Sequence, residues 1–154
     1  LKAKKAHAFL LEISKKMQHD SFYEFMQNTD IISIESRVNK SLSLKYFLIK
    51  TIIGQQVSVK AAESIWLKVK TILDNVSSDI SLDLLKEQGL SKPKALYIQG
   101  IIQDKKIKLL DKTTLKKLST EELSNFLLSL KGIGPWTLGV VRMFYIKDLT
   151  IIHI

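Results

Sequence analysis

The chain has 154 residues, 45% of them hydrophobic, with 24 Lys and Arg against 15 Asp and Glu for a formal net charge of +9. That length suits one domain or two small lobes sharing a core, and the basic balance points either to a polyanionic partner, nucleic acid first, or to a lysine-rich solvated surface. With no cysteine there is no disulfide, thiol nucleophile or thiolate metal site, and His7, His19 and His153 show no spacing suited to zinc.

From the N-terminus, "LKAKKAHAFLLEISKK" sets basic residues before an apolar patch but has no small-residue cleavage site, so it reads as a helix and not a signal peptide. Ala6, Phe9, Leu10, Ile13 and Met17 recur at helical spacing and predict one apolar face. The absence of an initiating Met suggests that residues precede Leu1. "SFYEFMQ" predicts a short second helix, and "DIISIES" fits a short strand or an irregular link. "LKYFLIKTIIGQQVSVKAAESIWLKVKTIL" predicts two helices broken at "GQQVS", with Gly54 ending the first and the Ser58 hydroxyl capping the second. Ala62, Ile65, Trp66, Val69, Ile72 and Leu73 form the apolar stripe of the second helix. No apolar run approaches the roughly 20 residues of a membrane helix; "YFLIKTIIG" is interrupted by Lys50 and stops at Gly54.

The pattern repeats in "SLDLLKEQGLSKPKALYIQGIIQDKKI", where a short helix ends near Gly89, Ser91 caps the next, and Pro93 sits in its first turn, where a missing N–H costs nothing. "STEELSNFLLSL" carries a capping box from Ser119 to Glu122 and an apolar face of Leu123, Phe126, Leu127 and Leu130. That helix stops near Leu130 and the next starts at about Pro135, across Lys131, Gly132, Ile133 and Gly134. The two glycines permit positive φ and leave backbone N–H groups unshielded, and the following helix start adds free N–H donors and a favourable dipole for an anion. Ile133 is expected to turn inward and pin the hairpin to the core. The alternative is a plain αα-corner with a glycine-rich turn. No hairpin or βαβ signal appears, so the expected fold is all-α, a single helical domain of about eight helices over residues 1–154 with the helix-hairpin-helix at about 120–147.

"LKGIGPWT" resembles the helix-hairpin-helix motif of the base-excision DNA glycosylases. "IIGQQVSVKAA" and "LKEQGLSKPKALYIQGI" are similar to segments of that superfamily's alkylated-base (3-methyladenine) branch, so three stretches in the right order span Leu48 to Thr137, while the N-terminal forty residues match in helical character alone. The resemblance implies an enzyme that flips a damaged base out of duplex DNA and hydrolyses its glycosidic bond. It implies that the N–H groups of Gly132, Gly134 and Thr137 grip the phosphate chain and that the carbonyls of Leu128, Lys131 and Ile133 hold a structural monovalent cation, with no other cofactor. Gln56, with its neighbour Gln55, matches the wedge that fills the gap left by the flipped base, the alternative being two exposed loop amides. Lys92 and Lys94 match general phosphate contacts. Trp136 occupies the position at which bifunctional relatives carry a Schiff-base lysine, which implies a monofunctional enzyme using water; its indole would line the base pocket, or would simply be core.

The family's catalytic aspartate is expected just beyond Ile154; Asp148 matches an acid of the preceding loop instead. The chain thus reads as C-terminally incomplete, and two origins stay open: a fragment of an active enzyme, or a non-catalytic DNA-binding remnant. A helical protein-interaction domain with incidental basicity is the third reading. The expected setting is a monomer on double-stranded DNA with a damaged base, away from any membrane, in a bacterial cytoplasm and nucleoid.

Overall fold

The structure, a computed structural model, describes residues 2–29, 42–75 and 80–148. Among them are ten α-helices and no strand. We number them α1 (Lys2–Lys16), α2 (Asp20–Gln27), α3 (Leu44–Gly54), α4 (Val59–Asn75), α5 (Leu82–Glu87), α6 (Lys92–Gln103), α7 (Lys105–Leu109), α8 (Lys112–Lys117), α9 (Thr120–Ser129) and α10 (Pro135–Val140); α10 runs on into a π-helical turn, Val141–Ile146. The all-α expectation stands, with somewhat more helices than the eight expected, because the "QDKKIKLLDKTTLKK" stretch breaks into two short helices. Each is started by an aspartate, Asp104 and Asp111, whose carboxylate accepts first-turn N–H groups. "DIISIES" lies outside the described residues. No described helix is long and apolar enough to cross a membrane.

The helices fall into two compact units, residues 1–39 and 40–154. In the first, α1 and α2 pack together and His7 Nε2 lies 2.9 Å from the Met26 carbonyl. The apolar face predicted for α1 is poorly covered: Phe9 is 60% exposed and Met17 64%.

The second unit is built around α3. Its sequence is apolar on nearly all sides, as suits a helix enclosed by others: Leu44, Leu48, Ile49, Ile52 and Ile53 are all buried, and α3 packs against α4, α6, α7 and the π-helical turn. Full burial of each such aliphatic side chain contributes about 1.5–3 kcal/mol. The α4 stripe behaves as its periodicity predicts, with Trp66, Val69 and Leu73 buried and Ala62, Ile65 and Ile72 packed against the core. Ser58 accepts from Ala61 N–H, and both halves of the Ser119–Glu122 capping box are formed. Ser91 does occupy the N-cap of α6, yet its side chain makes no capping bond.

Candidate nucleic-acid interface

The turn between α9 and α10 is the feature on which the site is built. The Ile133 N–H donates to the Leu130 carbonyl at 3.1 Å, and Ile133 is buried, anchoring the turn as its apolar character predicts. Gly132 has φ +86°, a left-handed conformation that favours glycine, and a Cβ there would lie 2.6 Å from Tyr97 Cγ and 2.9 Å from Tyr97 Cβ. Gly134 differs: its φ is −104° and ψ −178°, and a Cβ would meet nothing within 4 Å. The sequence-based expectation of positive φ at Gly134 is therefore corrected, since the chain reverses at Gly132 and is already extended when it reaches the cap of α10.

In α10 the first i→i−4 bond runs from Leu138 N–H to the Gly134 carbonyl, 2.9 Å. Pro135 has no N–H, so the unpaired donors of this helix start are those of Trp136 and Thr137. Thr137 is buried, whereas the Trp136 side chain is 66% exposed. The core alternative for Trp136 is thus removed: α10 turns its buried side toward Thr137 and Val141 and presents the indole outward. Trp136 lines an open cavity of about 470 Å³ together with Gly54, Gln55, Gln56, Gly134, Pro135 and Thr137.

The opposite wall of that cavity is the break after α3. Gly54 is the last residue of α3, as predicted, but the left-handed residue of the turn is Gln56, φ +56°. The two glutamines separate in role. Gln56 is exposed. Gln55 is half-buried, and its Nε2 donates to the Gly132 carbonyl and to Thr137 Oγ1, each at 3.2 Å. Lys94 reaches the same turn from α6, its ammonium donating to the carbonyls of Ile53 and Gln55. Burial holds the Lys94 ammonium below the usual lysine range. Lys94 is therefore drawn inward as a cap for the end of α3, while Lys92, the first residue of α6, remains exposed. Nothing in the local sequence distinguishes the two lysines; the difference is that α6 turns its buried face, Ala95 and Ile98, toward α3.

At the far end of the motif, Lys147 adopts φ +65° and the Asp148 N–H donates to the Arg142 carbonyl at 2.8 Å, closing the π-helical turn. Asp148 Oδ2 accepts from Arg142 Nε at 3.1 Å and Nη2 at 2.7 Å, in a largely buried ion pair. This structural engagement of Asp148 was not read from the sequence, because a spacing of six does not bring side chains together on a helix and the contact depends on the left-handed turn at Lys147.

Two helices joined by a Gly-Ile-Gly-Pro turn, with free N–H groups at the second helix and a glutamine turn facing them, define a helix-hairpin-helix protein. No protein-family model matches the sequence. It is 30% identical over 131 residues to a DNA-3-methyladenine glycosylase of Saccharomyces cerevisiae, a match covering 75% of this chain and 43% of the yeast protein. Its fold is similar to the Schizosaccharomyces pombe 3-methyladenine DNA glycosylase in complex with abasic DNA (TM-score 0.59, 28% identity, 69% of this chain and 57% of that one). It is also similar to the Bacillus halodurans DNA-3-methyladenine glycosidase (TM-score 0.64, 25% identity, 90% of this chain and 65% of that one). In sequence and in fold the chain is thus similar to the DNA-3-methyladenine glycosylases. It spans about half the length of the curated relatives it matches.

Proposed function

We propose that this chain acts in base-excision repair, as a monofunctional glycosylase that releases alkylated purines such as 3-methyladenine from duplex DNA. The observation that carries the reading is a cavity bordered jointly by the hairpin start, the exposed Trp136 and the Gln55–Gln56 turn. The N–H groups at the start of α10, with Gly134 bare of any side chain, suit a backbone phosphate, and Lys92 adds an exposed cation. Gln56, exposed beside them, suits the gap that an extrahelical base leaves in the stack. The Trp136 indole offers a face for stacking on an electron-poor alkylated ring.

A tryptophan cannot form a Schiff base, so the attacking group is water and the strand stays intact. The cationic sugar of the transition state calls for a nearby carboxylate. Asp148 is engaged by Arg142, which argues against it as that carboxylate. The carbonyls of Leu128, Lys131 and Ile133 are neutral oxygen donors of the kind a monovalent cation accepts, and Leu128 lies in the last turn of α9, where carbonyls lack intrahelical donors. A cation there would offset phosphate charge beside the hairpin.

The test is an excision assay on duplex DNA carrying 3-methyladenine, with borohydride present in a parallel reaction. Binding to abasic duplex is the expected result, with little base released by the 154 residues alone because the stabilising carboxylate is expected just beyond Ile154, and any base that is released should leave an unbroken strand. A trapped covalent adduct would overturn the monofunctional assignment, and absence of both excision and binding to abasic duplex would overturn the reading as a whole.

A further inference from the structure

We infer that Gln55 is a positioning residue, joining the Gln56 turn and the phosphate-gripping hairpin into one rigid unit; this rests on the glycosylase reading above. Gln55 and its two acceptors are 77 and 82 residues apart in sequence, yet one amide group bridges them. Its Nε2 has two hydrogens, and both are used: one holds the carbonyl of Gly132, the left-handed residue of the hairpin, and the other holds Thr137 Oγ1 in the first turn of α10. The backbone of Gln55 is held as well, its carbonyl accepting from Lys94. Gln56 follows directly in a left-handed conformation unusual for a residue with a Cβ, and such conformations persist where surrounding contacts over-determine them. The contacts that do so here are those of Gln55 and Lys94.

The functional consequence follows from geometry. A wedge and a phosphate clamp act together only if their separation is fixed, because a side chain inserted into the stack must meet a gap set by the backbone grip. Gln55 fixes that separation without needing to touch DNA. Its loss should leave general DNA affinity, which comes from charge and the hairpin amides, and should remove the preference for DNA with a gap in the stack.

The experiment measures binding of the full chain to two duplexes, one undamaged and one with a central abasic-site analogue. The wild-type chain should prefer the abasic duplex. Gln55→Ala should lower that preference roughly tenfold, the scale of one to two lost hydrogen bonds, with undamaged-duplex affinity little changed. Gln55→Met, similar in size but without a donor for the Gly132 carbonyl, should behave alike. Gln55→Ala combined with Gln56→Ala should be no worse than Gln56→Ala alone, the non-additivity expected of residues acting as a unit. Amide exchange in Gly132–Thr137 should accelerate in Gln55→Ala while α3 and α6 keep their protection. If Gln55→Ala does not fold, Thr137→Val replaces it and should show a smaller loss in the same direction. Retention of the abasic preference in a folded Gln55 variant, or full additivity with Gln56→Ala, would overturn the inference while leaving the glycosylase reading intact. A wild-type chain that binds neither duplex would overturn both.

Discussion

Gly132 and Gly134 flank the same isoleucine, and substituting them should have opposite consequences. At Gly132 a methyl group meets the base of the Tyr97 side chain, which cannot swing away because its own Cβ is part of the clash, and the backbone is left-handed. Gly132→Ala should cost about 1–3 kcal/mol for the backbone alone and more once Tyr97 is displaced, visible as a lowered Tm. Gly134→Ala should leave Tm nearly unchanged and weaken DNA binding, since the new methyl occupies the open space before the α10 donors. A stable Gly132→Ala would show that the turn is not held as described; an unimpaired Gly134→Ala would remove phosphate from that space. The two tryptophans give a second residue-scale test. Trp66 is 4% exposed and Trp136 66% exposed. Iodide should quench only the Trp136 share of the emission, DNA should shield that share, and Trp136→Phe should leave a blue-shifted, unquenched spectrum. Quenching that survives Trp136→Phe would contradict the placement.

Between elements, α3 and α4 are joined by a contact with its own pH signature. The Tyr46 hydroxyl donates to Asp74 Oδ1 at 2.7 Å, and Asp74 also pairs with Lys70. Burial first, then the hydrogen bond to Asp74 and its charge, push the Tyr46 phenol up to about 12. An unfolded tyrosine loses its proton near about 10, so the folded state holds the proton more tightly. The contact's contribution is complete below pH of about 10 and is lost as pH rises from there toward about 12. Urea midpoints measured across that range should fall with pH, and Tyr46→Phe should flatten the decline; an equally steep decline in the variant would assign it to other groups. The capping box of α9 is a purely local device by comparison. Ser119→Ala should cost about 1 kcal/mol, and its effect should stop at the helix that carries the hairpin into place.

For the whole molecule, the net charge of +9 predicts DNA binding whose affinity falls steeply as salt rises, because lysines that neutralise phosphates release counterions. A binding constant unchanged between low and physiological salt would argue against an electrostatic interface. Much of the rest was legible from the amino-acid order. The α4 stripe, the capping box, Pro93 and Pro135 in first turns, and Ile133 as the hairpin's anchor all depend on neighbours within one or two turns of the chain, so local chemistry determined them. What only the tertiary structure decided has one physical character: it depends on partners far away in sequence. Folding needs glycine at 132 and not at 134, because Tyr97 lies against Gly132. Lys94 turns inward while Lys92 does not, because the end of α3 offers Lys94 two carbonyls. Gln55 separates from Gln56 because the hairpin supplies its acceptors, and Trp136 faces outward because Thr137 and Val141 take the buried side. Composition and periodicity carry no information about which of two identical neighbours meets a distant backbone atom; packing does.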